Sequence, residues 1–229
     1  MIGIIGAMPD EVRHVVDRMA HCVTETISGM PFHKGVLFDA EVVAAVSGIG
    51  KVHAAMCAQT MILKYAPHTV INTGVAGGLA DFLVPGDIVI ATALVQHDID
   101  HSGFGDPIGL IPGLEMLEIP CSSHLVRRFR SLSENTKEYG VYAGKIATGD
   151  QAVFDRTKSE WIRKQFDALA IDEEGGSIAQ VCCHNGVDFC EIRSISDNAG
   201  AGAQLTYFEN KQLAARRPSE LVMQYIKQL

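Results

Sequence analysis

Three acidic residues stand where short apolar runs give way to glycine-rich or polar segments: Glu11, Glu174 and Asp197. A carboxyl group held ionised can draw a proton from water, and one held neutral can give a proton to a departing group. Cutting a sugar–base bond needs both, because the sugar passes through an oxocarbenium-like state. A third group that binds the sugar hydroxyls tightens its grip as positive charge develops. Three acids from separate strand ends have the types for these roles. Loop acids are common, however, and their spacing alone does not single out this chemistry.

The elements that must carry these acids alternate along the chain. IGIIG (2–6) reads as a buried strand, and Pro9, Asp10 and Glu11 suit the first turn of a helix. Residues 22–46 pattern as two or three antiparallel strands with turns near Ser28-Gly29 and Asp39. Helical spacing covers Lys51 to Tyr65, and strands are expected over 68–74 and 87–95. A loop rich in proline and glycine occupies about 102–120, followed by a helix near 122–134 and a strand over 141–149. Helix 156–166, strand 167–172, a helix from Gly175 to about His184, strand 187–197 and a closing helix from Leu205 to Leu229 complete the pattern. This alternation predicts one α/β domain over residues 1–229, with a mixed, mostly parallel central sheet flanked by helices. Ligands of such sheets sit beyond the carboxyl ends of strands, here 6–11, 47–51, 73–80, 148–153, 172–176 and 193–200. Most of these segments join glycine to a polar or acidic residue, which suits a small molecule approached closely by backbone.

Composition narrows the function class. Of the 229 residues, 47% are hydrophobic and 20% charged, as in a folded globular chain. The net charge of −8 argues against a nucleic-acid partner, which wants a basic face. No apolar run approaches the ~20 residues needed to span a bilayer. The opening MIGIIGAMPDEV lacks a basic flank and reads as a strand rather than a secretory leader, which predicts a cytoplasmic location. The six cysteines show no C-x-x-C pair and read as structural thiols. His97-Asp98-Ile99-Asp100-His101 invites a metal, but its histidines and Ile99 would share one face, and no metal is expected. GVAGG (74–78) is not G-x-G-x-x-G, so no dinucleotide cofactor, and indeed no cofactor, is expected. Trp161, Ile162 and Phe166 read as core packing.

Seven motifs carry a resemblance across the whole chain: IGIIGAM…EV (2–12), SGIGKVHAA (47–55), INTGVAGGL (71–79), PGDIVI (85–90), TGDQAV (148–153), EEGGSIAQVC (173–182) and RSISD (193–197). In this order and spacing the chain resembles the bacterial 5′-methylthioadenosine/S-adenosylhomocysteine nucleosidase family, within the purine nucleoside phosphorylase superfamily. The resemblance implies a nucleoside phosphorylase-like fold, a homodimer, and hydrolysis of adenine nucleosides to free base and sugar. It also implies roles. Glu11 would activate the attacking water, with Arg193 placing both. Asp197, after Ser196, would protonate N7 of the purine and hold its 6-amino group. Glu174 would grip the ribose hydroxyls, Met8 would lie against the sugar, and the backbone at Val153 would read the base edge. Ile49 and Gly77 fall among the substrate-binding positions. Phosphorolytic relatives carry G-D-P-x-R after the first strand, where this chain has GAMPDE, and an acid there would repel phosphate.

The departures from the family pattern cluster at the 5′ end of the substrate. Glu173 replaces a methionine beside the sugar, His101 a small apolar residue supplied by the partner subunit, and Tyr207 a phenylalanine, while Phe104 keeps its aromatic ring. The expectation is a polar 5′ subsite, with Glu173 and His101 paired across the dimer interface and a changed 5′ preference. Ala152 replaces an aromatic that stacks on adenine, with Phe154 two residues away, and Val75 replaces a serine that helps hold the water. Alternatives left open are a futalosine-type nucleosidase, a phosphorylase, and a non-catalytic nucleoside-binding protein on the same fold.

Overall fold

The computed structural model describes residues 1–134, 136–199 and 203–229, except for the side chains of 203–209 and 211–213. The chain opens with β1 (Ile2–Gly6), α1 (Pro9–Val16), and the strands β2 (Ala20–Ile27), β3 (Met30–Leu37) and β4 (Ala40–Val46). Next come α2 (Lys51–Tyr65), β5 (Thr69–Gly78), β6 (Ile88–Gln96), the short β7 (Ile119–Pro120) and α3 (Ser123–Ser133). It closes with β8 (Val141–Thr148), α4 (Arg156–Phe166), β9 (Ala168–Asp172), α5 (Gly175–Asn185), β10 (Asp188–Asp197) and α6 (Ala203–Ile226).

Local chemistry accounts for the boundaries. Both hairpins among β2, β3 and β4 turn on two residues with positive φ, Ser28-Gly29 and Phe38-Asp39, as a tight twisted hairpin requires. Pro9 starts α1 where its missing N–H costs nothing, and Asp10 and Glu11 meet the positive end of the helix dipole. Asp155 caps α4 by accepting from the Lys158 backbone N at 2.7 Å.

The sheet is mixed, as its pattern predicts, but it is not mostly parallel. Among the described residues, five strand pairings are parallel and five antiparallel. One parallel set holds β4, β1, β5 and β10; a second holds β6, β8 and β9. Antiparallel pairings of β5 with β9 and of β10 with β6 join the two sets, so β10, β6, β8, β9 and β5 close into a ring. Gly77 and Gly78 at the end of β5 pair with Ile171 and Ala170 at the end of β9. Because those two strands run in opposite senses, their carboxyl ends overlap at one place.

The strands are covered on both sides. Every residue of β1 is buried, and the core runs through Ile4, Val43, Met61, Ile71, Ile90, Ile146 and Ile178 without a break. Helix α2 packs against α5, while α6 lies on β5 and β10 and meets α1 and α3. The 102–120 loop carries only a short 3-10 turn at Ser102–Phe104 and an Ile111–Met116 bridge before β7. Within 97–101 the residues turn instead of extending the strand, which buries His97 and exposes His101. The face that the alternation assigned to both histidines does not form.

Candidate active site

A cavity of about 260 Å³ opens where the carboxyl ends of β1, β5, β9 and β10 converge. It brings together Met8, Glu11, Ile49, Gly77, Val153, Glu173, Glu174, Arg193, Ser196 and Asp197. These come from six separate segments of the chain. His101 and Phe104 do not line it; both stand exposed in the 102–104 turn region, with ring centroids 6.5 Å apart. Tyr207 lies on α6, with its side chain outside the described residues.

Glu11 is wholly buried. Its Oε2 accepts from the Met8 backbone N at 2.9 Å and its Oε1 from the Val75 backbone N at 3.0 Å. Burial pushes its pKa up, while the charge of Arg193 and the backbone donors pull against that rise. A Cβ at residue 74 would collide with both the Glu11 carboxylate and the Arg193 guanidinium, so only glycine fits there. The Val75 side chain is not a donor, but its backbone N–H holds the carboxylate whatever that side chain is.

Arg193, 1% exposed, is held on every side. Nε donates to Glu191, and Nη2 donates to Asp172, to Asn72 Oδ1 at 2.7 Å and to Glu174 Oε2 at 3.2 Å. Nη1 donates to the Val75 carbonyl at 3.2 Å. Asn72 is itself anchored, donating from Nδ2 to the Ile5 carbonyl at 2.8 Å. Asp172 also accepts from Thr148 and from the backbone N of Gly175 at 2.7 Å. Glu174 completes its set by accepting from the Gly50 backbone N at 3.0 Å. With a buried carboxyl beside several others and one cation, its pKa is pushed up to about 8, chiefly by burial.

At the far end of the cavity, Asp197 Oδ1 accepts from the Ala199 backbone N at 2.9 Å. Ser196 Oγ lies 2.8 Å from Asp197 Oδ2. Burial raises the Asp197 pKa; these two hydrogen bonds oppose the rise. Gly77 faces Asp197 in register, and a Cβ there would sit 3.4 Å from its carboxylate. Ala152 is exposed on the rim, and Phe154, 45% exposed, offers an aromatic ring on the same cavity wall. Glu173 is half-buried on that wall, and burial together with the charges of Asp172 and Asp150 raises its pKa.

Sequence reasoning missed Asp172, Glu191, Asn72 and Gly74. Glu191 had a legible signal: a lone acid inside the apolar FCEI run, two residues before Arg193 and therefore on the same face of the strand. Asn72 and Asp172 had none, because they meet Arg193 only through the fold. No group of acids, histidines and cysteines arranged to hold a metal occurs among the described residues. Both oxygens of Asp98 are taken, by Lys51 Nζ at 2.6 Å and by the Asp150 backbone N at 2.9 Å.

The family model described as the phosphorylase superfamily matches residues 1–227. A 5′-methylthioadenosine/S-adenosylhomocysteine nucleosidase of Anoxybacillus flavithermus is 38% identical over all of this chain and 98% of its own. One from Shewanella putrefaciens is 40% identical over all of this chain and 99% of its own. Among solved structures, the Neisseria meningitidis nucleosidase in complex with methylthio-immucillin-A has a TM-score of 0.96 at 31% identity, covering 100% of this chain and 99% of that one. The futalosine hydrolase of Helicobacter pylori has a TM-score of 0.95 at 34% identity, covering 100% and 97%.

The buried acids make stability depend on pH. Between the ordinary value of 4.5 and about 8, the folded chain keeps a proton on Glu174 that the unfolded chain has released. That contribution is full below the unfolded value and is lost as pH rises through the folded one. Glu11, Glu173 and Asp197 shift in the same direction. The melting temperature of the ligand-free protein is therefore expected to fall from about pH 5 to about pH 8, and Glu174→Gln to flatten the fall. Equal slopes for the two proteins would refute the assignment to Glu174.

Proposed function

Because the chain belongs to the 5′-methylthioadenosine/S-adenosylhomocysteine nucleosidases of the phosphorylase superfamily, we propose that it acts as a single-domain, cofactor-free hydrolase of adenine nucleosides. The observation that carries this reading is the convergence of Glu11, Glu174, Arg193 and Asp197 on one cavity at the strand ends. Glu11 sits among two backbone donors and the field of Arg193, which support the carboxylate against burial's larger upward pull on its pKa. Among the described residues no cation acts on Asp197, and burial favours its protonated form. The cation beside Glu11 suits it to the part of the base and leaves Asp197 the part of the acid.

The chemistry follows. Glu11 takes a proton from water as the water oxygen bonds to C1′ of the ribose. The C1′–N9 bond breaks, its electron pair passes into the purine, and Asp197 supplies the proton at N7. Glu174 and Met8 receive the ribose, Val153 and Gly77 lie along the base, and Ser196 orients Asp197. Phe154 takes the stacking place that Ala152 leaves. An anionic phosphate in place of the water would face the buried Glu11, which favours hydrolysis over phosphorolysis.

Free-base release from methylthioadenosine, S-adenosylhomocysteine, adenosine, inosine and an aminodeoxyfutalosine analogue, with and without phosphate, tests the reading. Phosphate-independent adenine release is the expected result. Release from the futalosine analogue alone would assign the chain to the chemistry of its H. pylori neighbour. Binding without release would make it a nucleoside-binding protein. Asp197→Asn is expected to lower kcat by about 10²–10⁴ and to remove the alkaline limb of the pH profile.

The active form is a homodimer in the cytoplasm. Ile49 on the cavity lining and Val52 and Met56 in the first half of α2 expose apolar side chains, and Phe104 is 91% exposed. A partner subunit seated there would bring His101 and Phe104 to the 5′ end of the substrate. No helix among the described residues is long and apolar enough to cross a membrane. Val52→Asp is expected to give a monomer by light scattering with most activity lost; a fully active monomer would overturn the shared site.

The 5′ subsite is polar and favours substituents that donate hydrogen bonds or carry positive charge. The half-buried Glu173 supports this, with Asp150 and Asp172 adding negative potential around it. Glu173→Met is expected to raise the preference for methylthioadenosine over adenosine about 10-fold or more in kcat/KM. An unchanged ratio would remove Glu173 from the specificity determinants.

A further inference from the structure

Strand β10 places Glu191 and Arg193 two residues apart, so both side chains leave the same face. Glu191 is 0% exposed, and one of its oxygens accepts from Arg193 Nε. Its other oxygen, Oε2, is buried without a hydrogen-bond partner. A buried carboxyl is costly compared with an apolar side chain of similar size, and Arg193 already has Asp172 and Glu174 as anionic partners. Charge neutralisation therefore does not explain a further acid here.

The surroundings of Glu191 are shaped for it. A Cβ at Gly175, the first residue of α5, would collide with the Glu191 carboxyl carbon and with both of its oxygens. Gly175 does not have the left-handed φ that makes glycine necessary for backbone reasons. Its missing side chain is accounted for by the space Glu191 occupies. Residues 175 and 191 thus form a matched pair, sixteen residues apart in sequence and in contact beneath the site.

We propose that Glu191 is a positioning residue for the glycosidic reaction, its carboxyl seated in the hollow at Gly175 and orienting the Arg193 guanidinium through Nε. The proposal rests on the role given to Arg193 above. A guanidinium has five N–H donors in one plane, so fixing Nε sets the direction of both terminal nitrogens. Those nitrogens hold Asp172, Asn72, Glu174 and the Val75 carbonyl, and Val75 in turn holds Glu11. Burial and the neighbouring Asp172 charge push the Glu191 pKa up, against the pull of Arg193. The Glu191 oxygen that accepts from Nε directs the guanidinium by geometry, leaving its terminal nitrogens to Asp172, Asn72, Glu174 and Val75.

Four variants of the full-length protein test this: Glu191→Val, Glu191→Gln, Gly175→Ala and the double Gly175→Ala/Glu191→Val. Glu191→Val is expected to lower kcat about 10-fold or more with a smaller change in KM, as loss of a transition-state contact does. The acid limb of its pH profile moves to higher pH, because Glu11 loses part of the stabilising field of Arg193. Glu191→Gln, which keeps a neutral acceptor, restores most of the lost activity and the wild-type profile. Gly175→Ala behaves like Glu191→Val, and the double variant is no worse than either single change, since the collision disappears with the carboxyl.

Folded Glu191→Val with wild-type kcat and profile would overturn the proposal. So would a Gln variant as impaired as Val, or strictly multiplicative losses in the double variant. If Glu191→Val does not fold, Gly175→Ala and Glu191→Gln decide between the same outcomes. The Arg193 Nε–H resonance gives a readout independent of turnover: slow exchange in wild type and Glu191→Gln, fast exchange in Gly175→Ala. Wild-type protein that releases no base yet shows this exchange pattern would refute the proposed function and leave the positioning role standing.

Discussion

One buried guanidinium surrounded by more carboxyl groups than it can neutralise is the constraint on which this structure turns. Arg193 has Glu191, Asp172 and Glu174 within ion-pair distance, and its charge reaches Glu11. Away from solvent every surplus negative charge is expensive, and burial pushes the pKa values of these acids up. Glu11, Glu174 and Glu191 are all displaced upward, each chiefly by burial. The site therefore partitions one fixed positive charge among several buried carboxyls through small differences in hydrogen bonding. Glu11, with two backbone donors and the charge of Arg193 opposing burial, is the acid whose carboxylate is best supported.

The fold exists around that partition in a specific sense. Two parallel sets of strands point in opposed directions, and the ring closed through β5–β9 and β10–β6 makes their carboxyl ends meet. Acids at the ends of β9 and β10 thus reach the same cavity as the start of α1. Close approach demands glycine where backbone and charged groups share space: at Gly74 under Glu11 and Arg193, and at Gly175 under Glu191. A β-carbon at either place would push a carboxyl off its partner.

The departures from the family pattern look different once the geometry is known. Losing a serine at position 75 leaves the hydrogen bond to Glu11 intact, because the donor is the backbone N–H. Losing an aromatic at 152 is met by Phe154 on the same wall. Glu173 is the change that alters the character of the cavity, adding a half-buried acid where Asp150 and Asp172 already make the potential negative.

The sequence by itself determined the elements, their order and the segments at their ends. Hydrophobic period, paired turn residues such as Ser28-Gly29, and the Pro9-Asp10-Glu11 helix start are local signals, and local sterics and dipoles read them directly. It also named the acids at the strand ends, since Glu11, Glu174 and Asp197 each sit within a motif. What it left undetermined was pairing through space. Parallel and antiparallel partners are chosen by tertiary packing, so the ring and the equal mix of pairings were not legible. Asn72, Asp172 and Gly74 meet Arg193 from strands that are remote in sequence, and burial decides which acid keeps its proton. Composition lists the charges; only the folded chain sets how far each lies from water and from the single cation that all of them share.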